Sequence, residues 1–353
     1  MKIALATDAW HPQVNGVVRS LSMTAHELRR LGHRVDVIEP SAFRTIPCPS
    51  YPEIRLALGC GRAVARMLDE AQPDSIHIST EGPIGWAARS WCLKNDRRFT
   101  TAFHTRFPDY VSIRTGIPAS WIWKLMRRFH GAAERTFTAT PALSAELKEH
   151  GVRRTHHWPR GVDLDQFNAG VKPHPMMTRL PRPILLNVGR VAVEKNIGAF
   201  LDVDIPGSKV VVGGGPALEK LKLRYPEVSF LGEKQGAELA STYAAADVFV
   251  FPSRTDTFGL VNIEALACGL PIAAYPVAGP LDILGPRDRG IHGGKWPIGA
   301  LDEDLAFAIE RALAANRNAA VREAQHYSWE ACTQRFIGGL ALDRSPETSR
   351  LAA

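Results

Sequence analysis

The sequence predicts an α/β protein of two domains, each built on a parallel sheet. Its 353 residues exceed the length of one typical domain. Lys2–Ala6 and Arg34–Ile38 have the pattern of buried strands, and the segment between them repeats apolar residues at helical spacing, which makes a βαβ start. A second strand–turn–helix unit runs from Asp247 to Gly269. Strands that alternate with helices in this way favour parallel sheets.

The composition is that of an ordinary globular protein, with 45% hydrophobic and 22% charged residues. No apolar run approaches the length that spans a bilayer. The apolar start, Met1–Thr7, is too short for a signal peptide and is closed by Asp8. Five cysteines, without a Cys-x-x-Cys pair, predict reduced thiols and a cytoplasmic location.

The net charge of +7 and the pI near 9.3 indicate an anionic partner. A nucleotide, an anionic membrane and a nucleic acid all carry the required charge. The basic residues are not gathered in one tail, and aromatic–basic signatures of RNA binding are missing. We therefore expect that the anionic partner is not a nucleic acid.

Asn15-Gly16 lies between the first strand and the first helix. One interpretation is a simple turn, which the pair favours. The other is a close approach of backbone amides to a phosphate. No Gly-x-Gly-x-x-Gly follows the first strand, so an NAD dehydrogenase is disfavoured.

Two further loops follow predicted strands in the first half, where open α/β sheets place ligands. Glu81 comes after the strand Ser75–Ser79, and His104 comes directly after the strand Thr100–Phe103. Glu81 has two interpretations. It is either a carboxylate that orients the hydroxyl group of an acceptor substrate, or a solvated side chain. A histidine at a strand end is either a catalytic group or a satisfied polar cap.

The segment 120–130 predicts a helix with tryptophans and cations, which suits a membrane interface rich in anionic lipid. The alternative is an ordinary amphipathic helix that packs its apolar residues inward. Tyr110, in the loop before it, is a candidate for contact with an acceptor chain. The candidate membrane residues of the helix are Trp121, Trp123, Lys124, Arg127 and Arg128.

In the second half, a strand over 183–188 leads to Arg190 and Lys195. Two cations in one loop after a strand suit a diphosphate leaving group, because bond rupture concentrates negative charge on its oxygens. The alternative is a solvated surface pair. A glycine-rich turn containing Gly215 follows the next strand, and Lys234 follows the one after.

The segment Phe251–Pro271 carries the strongest functional signal. Asp256 lies in a loop and Glu264 lies eight positions later, in the first turns of a helix that stops at Gly269. Unpaired amides at a helix start favour an anion. The candidate donor-binding residues around them are Phe258, Gly259, Leu260 and Val261. Amides for phosphate beside carboxylates for hydroxyls suit a nucleotide sugar.

This segment resembles the donor-binding signature of retaining glycosyltransferases of family 4, in which two acids flank Phe-Gly-Leu. Most members have Glu first, whereas this chain has the shorter Asp256. The Gly-Arg…Glu-Lys segment at Arg190 and Lys195 matches the same family, as does nearly the whole chain. The resemblance extends to its branch of lipid (diacylglycerol) glycosyltransferases, sulfolipid synthase-like enzymes and GDP-mannose-dependent mannosyltransferases.

The resemblance implies a GT-B fold, α/β with two Rossmann-like α/β/α domains facing across a cleft. It implies that Arg190, Lys195 and Gly16 contact the donor diphosphate and that Glu264 binds the ribose. Asp256 would bind the transferred sugar, with His104 as a second catalytic residue. The loop with Lys234 resembles the edge that holds the nucleobase. Retention of configuration is also implied.

The expected division has an acceptor-binding domain over 1–168, a linker over 169–182 and a nucleotide-sugar-binding domain over 183–325. The remaining residues, 326–353, would form a helix that returns to the first domain and a tail. Helices are predicted over 297–315 and 321–342.

The predicted function is metal-independent transfer of a hexose or hexuronic acid from a UDP-sugar to a membrane lipid such as diacylglycerol, by an enzyme peripheral to the membrane. Alternatives are a GDP-mannose-dependent mannosyltransferase, another sugar-nucleotide enzyme such as an epimerase, and a non-catalytic sugar-nucleotide or lipid-binding protein. We expect no cofactor and no metal. The pairs Asp163-x-Asp165 and Asp202-x-Asp204 do not follow strands that face a nucleotide, and two cations make a divalent ion redundant.

Overall fold

A computed structural model describes residues 1–13, 15–48, 51–104, 118–256 and 258–342. The chain divides into two compact units. Unit 1 comprises Met1–Pro159 together with the residues from Cys332 on, and unit 2 comprises Arg160–Ala331.

Unit 1 contains a parallel sheet whose described strands lie in the order β2-β1-β5-β6-β7-β8. A hairpin of β3 and β4 stands apart from it. The elements in chain order are β1 (Lys2–Ala6), α1 (Gly16–Arg30), β2 (Arg34–Ile38), β3 (Thr45–Cys48), β4 (Tyr51–Ala57), α2 (Gly61–Ala71), β5 (Ser75–Ile78), α3 (Pro83–Lys94), β6 (Thr100–Phe103), α4 (Ala119–His130), β7 (Arg135–Thr138), α5 (Pro141–Glu149) and β8 (Thr155–His157).

The central strands of unit 1 are buried on both faces. Strand β1 is apolar after Lys2, whereas β5 and β6 also bury polar side chains, among them His77 and Thr100. On one face, Ile76 and Ile78 of β5 pack with Val64 and Leu68 of α2 and with Ile84 of α3. These five side chains are fully buried. The packing leaves the loops after the carboxyl ends of the strands to carry polar groups.

Unit 2 contains a second parallel sheet, with the described strands in the order β11-β10-β9-β12-β13-β14. Its elements are β9 (Ile184–Val188), α6 (Ile197–Leu201), β10 (Ser208–Val212), α7 (Leu218–Arg224), β11 (Ser229–Phe230), α8 (Gly236–Ala245), β12 (Val248–Phe251), α9 (Leu260–Ala267), β13 (Ile272–Ala274), α10 (Ala278–Leu284), β14 (Gly299–Leu301), α11 (Leu305–Leu313) and α12 (Arg317–Ala324). The last helix is α13 (Trp329–Gly339).

The unit boundaries can be set beside those expected from the sequence. Residues 160–168 group with unit 2, whereas the sequence analysis places the first domain's end at 168. The Val162 amide donates to the Tyr327 carbonyl at 2.7 Å, and Gly161 packs directly on Trp329, which ties this segment to unit 2. From Cys332 on, the chain groups with unit 1, where Phe336 packs against Phe137.

Two predicted helices are wrong in extent. The segment 297–315 contains the strand β14 before α11, because Gly299 lets this strand pass close to Ile272 of β13, where a Cβ would lie 2.2 Å from a carbonyl oxygen. The segment 321–342 is divided between α12 and α13. Ser328, extended at φ −61° and ψ 151°, breaks the helix between them.

Among the described residues, no helix is long and apolar enough to cross a bilayer. None of the five cysteines forms a disulfide, and all except Cys48 are buried.

Candidate functional site

The loop after β9 in unit 2 is shaped by glycines of the neighbouring loop after β10. Gly213 and Gly215 have φ of +137° and +151°. A Cβ on Gly213 would lie 1.9 Å from the Gly189 carbonyl oxygen, and one on Gly215 would lie 2.4 Å from the Val191 carbonyl oxygen. Side chains are therefore excluded, and the two loops lie in direct backbone contact. Gly215 thus shapes the backbone around Arg190.

Lys195 and Asp256 form the central ion pair of this site. The Lys195 Nζ atom lies 2.5 Å from Asp256 Oδ1, and the side chains are 29% and 22% exposed. The structure thus brings together two residues that are sixty-one positions apart in the chain. Because both side chains are partly accessible, a ligand can reach the pair and replace one residue as the partner of the other.

The two loops that carry this pair are joined by further hydrogen bonds. Asn196, in the left-handed conformation, donates from Nδ2 to the Pro252 carbonyl at 3.2 Å. The Thr255 hydroxyl donates to the Glu194 carbonyl at 3.3 Å. These bonds place the Lys195 ammonium and the Asp256 carboxylate on one local surface.

Arg190, by contrast, is exposed, and it forms no ion pair within the described part of the chain. It follows Gly189 directly at the end of β9, five residues before Lys195. An exposed guanidinium with five N–H donors is available to an anionic ligand such as a diphosphate.

Helix α9 begins next to the ion pair and has no side-chain cap. Its first flanking residue, Gly259, has φ +78°, and a Cβ there would lie 2.6 Å from Asn262 Nδ2. Gly279 of α10 packs against the carbonyl oxygens of Asp256 and Phe258, at 3.0 and 3.1 Å from an added Cβ. The turn is therefore fixed by close packing, and the N–H groups of the helix start, at Leu260 and Val261, favour an anion.

Glu264 lies deeper than the other predicted donor-binding residues. Its side chain is on α9 and the residue is 2% exposed, and its Oε2 atom accepts a hydrogen bond from the Tyr243 hydroxyl at 3.0 Å. Phe258 is 5% exposed, with its ring centroid 6.1 Å from that of Tyr327. The sequence did not single out Tyr243. Its place on α8, far from Glu264 in the chain, leaves no local pattern that could reveal the contact.

Lys234, the predicted residue at the nucleobase edge, lies between β11 and α8. Its Nζ atom is 2.5 Å from Glu238 Oε1, one turn into α8. Its neighbour Glu233 lies against Gly214, where a Cβ would be 2.5 Å from Glu233 Oε1. This carboxylate occupies the space beside the glycine turn.

In unit 1, Asn15 and Gly16 open helix α1. The Asn15 Oδ1 atom accepts hydrogen bonds from the Val17 and Val18 amides, both at 3.0 Å, which is an N-cap. Its Nδ2 atom donates to Gln13 Oε1 at 3.4 Å. Asn15 is therefore a helix N-cap with an extended backbone, at φ −153° and ψ 168°, and not part of a positive-φ turn. Contact with a donor phosphate stays a prediction for Gly16.

The sequence analysis missed Asp8, which closes β1 and is 5% exposed. Its carboxylate accepts hydrogen bonds from the Ile84 and Gly85 amides at the start of α3 and from the Thr80 hydroxyl at 2.9 Å. Burial raises the pKa of Asp8 above its usual value, against the opposing effect of these hydrogen bonds. A buried strand-end aspartate that follows an apolar run was the available signal.

Glu81 lies near Asp8 and contacts His130. The Glu81 Oε1 atom lies 3.1 Å from His130 Nε2, and the other ring nitrogen of His130 lies 2.9 Å from the Thr101 hydroxyl. Glu81 is therefore held by its own chain rather than solvated, and its role toward an acceptor stays a prediction. His104 lies directly after β6, half-buried, with its ring edge-on to Trp158 at 5.8 Å.

The helix with the candidate membrane residues is α4, and its residues divide between two faces. Trp123 is buried, stacked on His150 with ring centroids 3.7 Å apart. Trp121 is 68% exposed and Leu125 is 44% exposed, with the cations beside them. The exposed cations are Lys124, Arg127 and Arg128. Tyr110 lies outside the described residues.

A cavity of about 600 Å³ lies beside this helix, between its first two turns and the loop after α5. Lys124 and Arg127 line it together with His150 and Glu149. Unit 1 therefore has one surface that combines a tryptophan, an exposed leucine and three cations.

Two family models match the chain. The model of glycosyltransferase family 4 matches residues 14–166, and that of glycosyl transferases group 1 matches residues 178–326. A GDP-mannose-dependent alpha-mannosyltransferase of Mycobacterium tuberculosis is 30% identical, over 100% of this chain and 99% of its own length. The chain belongs to glycosyltransferase family 4.

This glycosyltransferase has other curated relatives with different names. The sulfoquinovosyl transferase SQD2 of Arabidopsis thaliana is 31% identical, over 88% of this chain and 67% of the relative. The alpha-monoglucosyldiacylglycerol synthase of Streptococcus pneumoniae is 30% identical, over 89% and 79%. The enzyme therefore transfers a sugar, and its relatives include enzymes of glycolipid synthesis.

Solved structures agree with the predicted GT-B fold. A sucrose-phosphate synthase of Thermosynechococcus elongatus superposes with a TM-score of 0.69 at 22% identity, over 96% of this chain and 97% of that one. Anabaena HepE in complex with UDP-glucose superposes with a TM-score of 0.66 at 17% identity, over 96% and 98%. The prediction of two Rossmann-like units in a GT-B protein is confirmed.

Proposed function

We propose that this glycosyltransferase moves a hexose or hexuronic acid, with retention, from a UDP-sugar to a membrane lipid such as diacylglycerol. The observation that carries the donor half is the Lys195–Asp256 pair beside exposed Arg190 and the uncapped start of α9. Together these groups offer cations and amides to a diphosphate and a carboxylate to sugar hydroxyls.

In the proposed reaction, the donor diphosphate binds the Lys195 ammonium and replaces Asp256 as its ion-pair partner. The ammonium then stabilises the charge that develops on the leaving diphosphate, and Arg190 adds a bidentate contact. Asp256, released from the pair, accepts hydrogen bonds from hydroxyls of the transferred sugar. Glu264, oriented by Tyr243, binds the ribose.

Two cations already in the phosphate site support transfer without a metal. The aspartate pairs noted in the sequence support this further, since they have structural partners. Asp163 Oδ1 accepts hydrogen bonds from the amides of residues 165 and 166, and Asp202 accepts one from the Tyr225 hydroxyl at 2.5 Å.

His104 is proposed as the catalytic residue of unit 1.

The acceptor half of the proposal is supported by α4. An exposed tryptophan and leucine beside Lys124 and Arg128 suit the interface of a bilayer with anionic lipid, where each cation contributes about 1 kcal/mol. The likeness to an alpha-monoglucosyldiacylglycerol synthase supports the same acceptor class. The enzyme would then act at the membrane surface.

A second candidate is mannosyl transfer from GDP-mannose. The full-length match to the mycobacterial mannosyltransferase favours it. The residues that contact phosphate would be the same, because both donors carry a diphosphate.

A donor–acceptor screen with product identification tests the proposal. Labelled UDP-glucose, UDP-glucuronic acid, UDP-sulfoquinovose and GDP-mannose are each incubated with diacylglycerol vesicles and with soluble sugars, with and without EDTA. We expect label from a UDP-sugar in the lipid fraction and no loss of transfer in EDTA. Transfer only from GDP-mannose to a soluble sugar would refute the lipid version, and a strict need for Mg²⁺ or Mn²⁺ would refute the metal-independent one.

A further inference from the structure

A second cluster of ligand-type side chains lies in unit 2, away from the residues assigned to the donor. It consists of His292, Glu323 and His326, whose candidate ligand atoms all lie within 4.8 Å of one another. His292 Nδ1 is 2.7 Å from Glu323 Oε1, and the two imidazole rings are stacked with centroids 4.0 Å apart. We propose that these three side chains bind one Zn²⁺ ion.

The fold holds the three ligands from two directions. Glu323 is in the last turn of α12, and His326 follows it by three positions, so that both point to one side of the same helical segment. His292 comes from the loop after α10. The cluster therefore joins a loop to a helix, as structural metal sites do.

The backbone of that loop is fitted to Glu323. Gly290 has φ +82°, and a Cβ there would lie 2.3 Å from a Glu323 carboxylate oxygen. The loop is anchored further by Asp288, which is 7% exposed and pairs with Arg311 at 2.5 Å. The contact of Gly290 with Glu323 and the buried side chain of Asp288 thus hold the loop that carries His292 in place.

The ligand chemistry selects the class of metal. Two imidazoles and one carboxylate suit Zn²⁺ and related transition ions, whereas Mg²⁺ and Ca²⁺ prefer oxygen ligands alone. Ligands on one tetrahedral Zn²⁺ lie about 3.3 Å apart, so closure from 4.8 Å requires a contraction of about 1.5 Å. One imidazole must also turn out of the stack, because the lone pair that binds a metal lies in the plane of the ring. Exposed His326 has room for this rotation. Zn²⁺ would take the place of the proton between His292 and Glu323. His326 is exposed, so water can complete the coordination.

The role of such an ion would be structural. It would tie the loop that carries His292 to the end of α12, next to Tyr327, whose ring centroid is 5.5 Å from that of His292. Transfer chemistry is assigned to other residues, and the Zn²⁺ proposal stands independently of it.

Metal binding to the full chain, freed of any affinity tag and treated with EDTA, tests the inference. Titration with Zn²⁺ is followed by calorimetry and by thermal unfolding, with Mg²⁺ as the comparison ion. We expect one equivalent of Zn²⁺ to bind and to raise the unfolding temperature, and Mg²⁺ to do neither. Loss of an outer partner alone typically weakens metal affinity 10- to 100-fold, so His292→Ala and His326→Ala should each weaken Zn²⁺ binding about a hundredfold or more.

His26→Ala is the matched control, because His26 is an exposed histidine on α1 outside the cluster. It should bind Zn²⁺ as the unchanged protein does. Urea unfolding without metal checks that the variants fold, and exposed His326 is the safer of the two substitutions. Equal Zn²⁺ binding in His326→Ala and the unchanged protein would overturn the proposal and leave the cluster as a histidine–glutamate hydrogen bond.

Discussion

The loops after β9 and β12 in unit 2 and the loops after β1 and β5 in unit 1 occupy equivalent places in two parallel sheets, yet their charges are handled differently. In unit 1, Asp8 and Glu81 are satisfied by their own chain, through amides of α3 and through His130. In unit 2, Arg190 is exposed and Lys195 is 29% exposed. The same topology therefore supports a self-satisfied set that includes the buried carboxylate of Asp8 in one unit, and an exchangeable set, an exposed guanidinium and a partly accessible ion pair, in the other.

The largest expected effect is on the exchangeable set. Lys195→Ala and Arg190→Ala should each lower kcat/KM by at least about a hundredfold, because one preorganised donor to developing negative charge is typically worth 10²–10³ in rate. Steady-state kinetics with the donor found in the screen measures this.

Lys222→Ala is the control, since Lys222 forms an exposed ion pair with Glu219 on α7. It should transfer at the normal rate. The unfolding free energies of all three variants should stay close to that of the unchanged enzyme, because accessible pairs contribute about 1 kcal/mol or less. Near-normal transfer by both site variants would remove the contrast between the units.

A smaller effect is expected at the self-satisfied set. Asp8→Ala removes the acceptor of two amides at the start of α3 and should lower the free energy of unfolding by about 2 kcal/mol, at the upper end for loss of a helix cap. Urea unfolding measures it, with Asp36→Ala on β2 as the comparison at a less buried aspartate. A loss of transfer without a loss of stability would instead place Asp8 in the chemistry.

The sequence predicts the strands and the helix that carry these residues, but it does not predict the contacts between them. Periodicity predicted the strands before Arg190 and Asp256, and the helix with Glu264, because those segments are continuous in the sequence. The contacts that define the site join residues that are far apart in the sequence. Lys195–Asp256 and Tyr243–Glu264 join residues that only the sheet order β9-β12 and the packing of α8 beside α9 bring together.

The errors have a related cause. The strand β14 has three residues, too few to show a period of two between helical neighbours, so 297–315 was predicted as one helix. Ser328 ends the preceding helical turn through its backbone conformation, which composition does not reveal.

An intermediate case is Glu264, which lies in unit 2 but is buried like the carboxylates of unit 1. Tyr243→Phe removes the hydroxyl that donates to Glu264 and should raise the KM for the donor about fivefold, from a loss of about 1 kcal/mol. Its kcat should change little, because ribose binding is equal in ground and transition states. A fall in kcat with unchanged KM would assign Tyr243 to the chemical step.

The smallest expected effect is a change in pH dependence at Asp8. Burial raises its pKa in the folded state above the ordinary 3.8, so the folded state binds this proton more tightly than the unfolded state does. Stability contributed by Asp8 is then greatest below its ordinary pKa and is lost as pH rises through the raised value. The unfolding free energy of the unchanged enzyme minus that of Asp8→Asn should therefore fall as the pH rises above the ordinary pKa of 3.8. A difference that grows with pH would mean that the amides of α3 outweigh burial.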